Sequence, residues 1–294
     1  MIIILLPTTN IYFSKYIENQ QYNYNNENIY KIEPITQSIY YYLNKIILKT
    51  NNIDYSYFIN IYNNYSKIKA LTNSFFIFIE IIKYFNLNKY SNNILYYVNK
   101  NSLFDWGIIQ AFYHINSFNN FYINNNIEIP NELKNIICNN NKLTQDIIIL
   151  DKFCLKTIKS QKINSNLILK INNLFDEYSI KSLYYLCSVY NKVFITKPIS
   201  SWDGSSIKYV VCKYFKGSKY NLNNITILKP TNLFLTKISE INCIYVELQI
   251  KSLLSIYDKP IDTLINSNQQ KCINWFIKHD IDYIDDNDIK IIEN

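Results

Sequence analysis

Three positions in this 294-residue chain could do acid–base chemistry together. Asp151 closes the apolar run DIIIL, Lys170 closes LIL, and Lys197 with Pro198 closes VFIT. In an α/β sheet ligands bind outside the carboxyl ends of the strands, so reactive side chains belong there. A lysine near another cation or in a partly dry site loses its proton more readily and can act as a base, and a nearby aspartate sets that balance. Other chemistries have little to work with. The six cysteines (Cys138, Cys154, Cys187, Cys212, Cys243 and Cys272) stand singly with no CxxC spacing, and the only histidines are His114 and His279. No zinc site, other metal site, disulfide scaffold or histidine-based general base is expected, and the reading is a reduced, intracellular protein.

The elements that must position these residues lie in the second half. DIIIL, NLILKI, KVFIT and IKYVVCKYF are short runs rich in branched residues, and helical spacings separate the first three, at 155–162 and from Ile180 to Cys187. Strands alternating with helices predict an α/β sheet with both faces covered. The last two runs, joined by the loop 198–206, are expected to form an antiparallel edge pair. Further strands are expected at 225–228 and 241–246, then helices at 247–257 and 261–279. Before residue 141 the spacing is mainly helical, with Ile39, Tyr42, Leu43, Ile46 and Ile47 on one turn pattern and a long apolar helix at 68–87. We therefore expect a mainly helical region over 1–140 and an α/β domain over 141–294 that ends in helices and an acidic tail. The opening MIIILLP is too short for a membrane span and reads as a first buried strand, and the run 75–82 is broken by Glu80, so no transmembrane helix is expected.

Composition carries a bias of its own. All 30 basic residues are lysine, Tyr occurs 28 times and Asn and Ile abound, which follows A/T-rich codons and deprives the Asn tracts of functional weight. The net charge of +7 is uneven: 13 lysines between Lys152 and Lys229 face only Asp176, Glu177 and Asp203. Such a stripe suits a polyanion or an acidic partner surface, or is simply a solvated face. Lys192, Lys197, Lys208, Lys213, Lys216 and Lys219 are its candidate RNA or partner contacts.

The stretch LILKINNLFDEYS…YYLC…YNKVFITKPISSWDGSSIKYVVCKYFKG resembles the C-terminal half of FtsJ-like RNA ribose 2′-O-methyltransferases. There a strand-end lysine precedes a helix, a strand ending in Lys-Pro, a Ser-rich loop and a Ser-Glu-x-Tyr strand. The resemblance puts Asp151 at the family aspartate and Lys170 at the catalytic lysine, and implies a Rossmann-like methyltransferase sheet. Two features depart from it. Ser206-Ile207-Lys208-Tyr209 places Ile207 where the family has glutamate, and the family's glycine-rich loop for S-adenosylmethionine has no counterpart among Gly107, Gly204 and Gly217.

A methyltransferase-like half without a cofactor half is similar to the small, non-catalytic subunits of poxvirus-type mRNA capping enzymes. That resemblance implies a truncated fold with no cofactor of its own. It also implies a heterodimer with the large catalytic subunit, stimulation of cap-guanine methylation, a part in viral transcription termination, and a place in host cytoplasm or virion. The alternatives are a divergent S-adenosylmethionine-dependent RNA 2′-O-methyltransferase using Lys170 and Asp151, and an RNA-binding module using the lysine stripe.

Overall fold

The computed structural model describes residues 1–9, 37–50, 53–87, 93–97, 105–117, 120–123, 130, 133–134, 137, 145–217, 225, 228–258 and 261–284. Among these residues seven strands form one sheet: β1 (Ile2–Leu5), β2 (Asn93–Tyr97), β3 (Asn120–Ile123), β4 (Ile147–Leu150), β5 (Asn166–Ile171), β6 (Tyr190–Lys197) and β7 (Lys208–Phe215). Their spatial order is β1-β6-β7-β5-β4-β2-β3. Strands β2 to β6 run one way, and β1 and β7 run against them. The chain leaves β2 toward β3 on one side and returns to β4 on the other, which is the strand-order reversal of a doubly wound sheet. This is an α/β, Rossmann-like methyltransferase sheet. Its β3 wing is short, since beyond β3 the described residues add only a single parallel bridge, Phe121↔Ile137.

Among the described residues there are eight helices, α1 (Gln37–Lys49), α2 (Ser56–Tyr65), α3 (Ser74–Phe85), α4 (Trp106–Ile115), α5 (Leu155–Lys159), α6 (Glu177–Val189), α7 (Asn232–Asp258) and α8 (Ile261–His279), and all but α1, which packs on α7, cover the sheet. Apolar residues of α2, α3, α4 and α8 pack on one face with Ile147, Ile149, Ile168, Tyr209 and Val211. Those of α5, α6 and α7 pack on the other with Ile148, Leu150, Leu167, Leu169, Val210 and Cys212. Alternate residues of β4, β5 and β7 thus serve opposite cores, as the period-2 pleat requires. Strand β4 is buried along its whole length, as its unbroken IIIL predicts.

Several expectations are corrected. Residues 241–246 lie inside α7, whose buried positions Phe234, Ile238, Ile241, Asn242, Tyr245, Val246, Gln249 and Leu253 recur at three- and four-residue steps. A short branched run hid that longer period, and 247–257 continues the same helix. Ile225 and Leu228 are buried but not in a strand. The helix expected over 68–87 starts only at Ser74. Strands β6 and β7 pair antiparallel but are no edge, because β7 inserts between β5 and β6 and β1 closes the sheet. β1 is therefore an edge strand with Leu5 54% exposed, not a buried one. The sheet also takes β1, β2 and β3 from before residue 141. The tail beyond residue 284 and Lys219 lie outside the described residues. Among the described residues no helix is long and apolar enough to cross a membrane, and no three His, Cys, Asp or Glu side chains converge to hold a metal.

Candidate functional site

Strands β4 and β5 are parallel neighbours with Leu150 opposite Leu169. Asp151 and Lys170 are the next residues on each strand, so both sit at the carboxyl end and point away from the α6–α7 core toward the α3 face. On the other side of β5, Lys170 pairs with Tyr209 and Ile171 with Lys208. Lys170, Tyr209 and Ile207 line one cavity of about 460 Å³, with Asn73 and Ser74 from the start of α3, Ser206 from the loop, and Tyr55 and Trp202 as an aromatic wall. The two aromatic rings lie 4.7 Å apart at an interplanar angle of 31°. Asn73 Oδ1 is buried there without a hydrogen-bond partner.

Asp151 is not in the cavity wall; its backbone N–H donates to the Tyr97 carbonyl at 3.4 Å. Its charge, together with that of Asp105, adds to burial in raising the Tyr96 and Tyr209 phenols far above the ordinary tyrosine range. Both phenols keep their protons at any physiological pH. Asp105 was not singled out in the sequence, yet it organises this corner by accepting hydrogen bonds from the Thr72 and Ser74 hydroxyls. Its only signal was the triplet Asp-Trp-Gly at the start of a helix, which reads as a turn rather than a site.

The loop 198–206 is fixed at both ends. Glu80, only 2% exposed, accepts from Ile199 N (2.9 Å), Ser200 N (3.1 Å), Ser200 Oγ (3.0 Å) and Trp275 Nε1 (2.9 Å). At the other end Lys197 Nζ donates to the carbonyls of Ser205 (2.6 Å) and Ile207 (3.3 Å). Lys208 Nζ donates to Asn173 Oδ1 (2.6 Å) and the Ser206 carbonyl (2.8 Å), and lies 5.2 Å from the Tyr245 ring centre. Burial lowers Lys197 to about 8. Burial and then the charge of Lys197 lower Lys208 to about 7. Both lysines are thus interior props, which places them out of reach of RNA or a surface partner, contrary to their place among the stripe's candidate contacts. Lys192 and Lys213 are cross-strand partners far from this end, and Lys213 Nζ donates to the Phe85 carbonyl at 2.9 Å. The backbone N–H of Lys216 donates to the Val189 carbonyl.

A doubly wound fold cradles its cofactor in the loop after the strand at the order reversal, where glycines let backbone amides approach. Here that segment is 98–104, VNKNSLF, which has no glycine and lies outside the described residues. Gly107 follows within α4, but a Cβ on it would stand 2.2 Å from Thr72 Oγ1 and 2.8 Å from the Thr72 carbonyl. That glycine lets α4 pack against the chain entering α3. The lack of glycine in 98–104 departs from the cofactor loop that the resemblance calls for.

No family model matches the chain. The chain is similar to a cap-specific mRNA (nucleoside-2′-O-)-methyltransferase 1 from Drosophila melanogaster, with 27% identity over 88 residues. The match covers 30% of this chain and 11% of that protein. It agrees with an RNA methyltransferase-like fold.

Proposed function

We propose that this chain is a catalytically silent, methyltransferase-like subunit that binds and stimulates an mRNA cap methyltransferase, in the manner of the small subunits of poxvirus-type capping enzymes. Its partner is the large catalytic subunit, and a part in transcription termination belongs to the same heterodimer. One observation carries the reading: Lys170 faces Ile207 and the protonated phenol of Tyr209 where the resemblance calls for a carboxylate. An isoleucine neither accepts a proton nor orients a lysine. The segment after β2 also lacks the glycines that would let backbone amides approach a methyl donor. The chain then acts by binding the active conformation of its partner more tightly than the inactive one. Co-expression with a capping-enzyme large subunit should give a 1:1 complex on size-exclusion chromatography. Micromolar binding of S-adenosylmethionine to the isolated chain in calorimetry would overturn the proposal.

A second reading, a divergent RNA ribose 2′-O-methyltransferase, has its own support: Asp151 stands just beyond β4 and Lys170 near the end of its parallel neighbour β5, and the similar Drosophila protein carries that activity in its name. It requires that Lys170→Ala abolish methyl transfer to capped RNA by the chain alone.

A further inference from the structure

Strand β1 ends the sheet on one side, and its outer edge has no strand against it among the described residues. The register fixes which main-chain groups that edge offers. Leu6 N–H donates to the Val193 carbonyl at 2.9 Å, and this pair continues the ladder in which Ile4 stands opposite Ile195 and Ile2 opposite Lys197. Antiparallel partners alternate between bonded and non-bonded pairs. Ile2, Ile4 and Leu6 therefore bond to β6, and the N–H and C=O groups of Ile3 and Leu5 point outward. Among the described residues no backbone hydrogen bond reaches those outward groups. Sheet edges are ordinarily blunted by a lysine, a proline or a bulge. β1 reads IIIL in an unbroken register and has none of these.

Most of its side chains are already in use. Ile2 and Ile4 pack with the α6 and α7 core and Ile3 with the α3 core, while Leu5 is 54% exposed. A strand from another protein is told apart by pockets for its alternate side chains. This edge presents main-chain groups and one leucine, which a second copy of the same edge matches with no pocket at all.

We propose that β1 pairs antiparallel with β1 of a second copy of this chain about a two-fold axis. With Ile4 level with Ile4 of the second copy, Ile3 meets Leu5 and Leu5 meets Ile3, and every outward N–H and C=O group is bonded. Both side chains of such a pair lie on one face, so the exposed Leu5 is covered by Ile3 of the second copy. Residues 1–6, MIIILL, have no charged side chain, and the same register sets the Met1 amine level with Pro7 of the second copy, so the two amines do not meet. A strand this short buries little surface, so the pair is weak and its population follows concentration. The pairing does not depend on the role proposed above.

The test is sedimentation velocity of the full chain over a concentration series, with hydrogen exchange read at single amides. The parent chain should pass from monomer to dimer with a dissociation constant on the order of 100 μM. Over the same range exchange should slow at the Ile3 and Leu5 amides and stay unchanged at Ile4 and Leu6, which bond to β6. Leu5→Pro removes an outward N–H and leaves the β6 bonds, since proline is tolerated on the free side of an edge strand. A ladder bond is lost in each copy, so the dimer should weaken about tenfold or more. Leu5→Lys, which asks nothing of the backbone, should weaken it as well. A parent chain that stays monomeric at millimolar concentration would overturn the proposal. So would a dimer that forms without slower exchange at Ile3 and Leu5, protection of those amides that does not vary with concentration, or a Leu5→Lys chain that dimerises like the parent.

Discussion

Lys170 on β5 and Tyr209 on β7 are direct cross-strand partners, and both face the cavity whose wall Ile207 completes. The lysine therefore meets a phenol that holds its proton and a hydrocarbon side chain. The corner has the frame of an acid–base site without a group on that side to take a proton.

Restoring one residue should not restore chemistry. Ile207→Glu puts a carboxylate opposite Lys170, yet the segment 98–104 still lacks glycine. The variant should show no binding of S-adenosylmethionine in calorimetry and no methyl transfer to capped RNA by the chain alone. Activity gained from this single change would show that a cofactor cradle is already present.

Glu80 should matter more to stability than any residue of the cavity. Glu80→Gln turns an amide NH₂ toward donors that now meet a carboxylate, on Ile199, Ser200 and Trp275. A loss of about 3 kcal/mol in urea unfolding is expected, the scale of charged hydrogen bonds left unmade. Hydrogen exchange should rise at the Ile199 and Ser200 amides before it rises in β6. Unchanged exchange there would remove Glu80 as the anchor of the loop.

Gly107→Ala tests the close packing of α4 on the chain entering α3. The added methyl meets Thr72 Oγ1 and backbone atoms of Thr72 and Phe75. Overpacking should lower the stability by about 1–3 kcal/mol. A neutral result would mean that the space beside Gly107 can open.

The two interior lysines make stability depend on pH. Lys208 falls from 10.5 to about 7 on folding, so between those values the unfolded chain binds a proton that the folded chain does not. Stability should rise with pH through that window, by at most about 1.4 kcal/mol per pH unit for one group. Lys197 adds to the same trend above about 8. Lys208→Met should flatten the slope of urea midpoints measured at pH 7, 8 and 9. A slope as steep as that of the parent chain would refute this origin.

Strands β4 to β7 were legible because each is a compact branched run, and Asp151 and Lys170 were legible because both close such runs. β2 and β3 were not: NILYY and NFYI hide among Asn and Tyr supplied by codon bias, and only the pairing of Ile94 with Ile147 and Phe121 gives them a place. α7 was split because its IYV segment looks like a strand until the buried set on both sides is counted. The burial of Lys197 and Lys208 had no local signal, since a lysine in a stripe of lysines reads as surface. Glu80 was noticed only as a break in an apolar run, although a charged residue in such a run often marks a buried hydrogen-bond centre. Nothing in sequence order could bring it to Trp275, which lies 195 residues away.

The most direct test measures the initial rate of cap-guanine methylation by a capping-enzyme large subunit with and without this chain, using parent and Lys170→Ala forms. Both forms should raise the rate equally, and neither should methylate capped RNA alone. Methyl transfer by the parent chain alone, lost in Lys170→Ala, would contradict it.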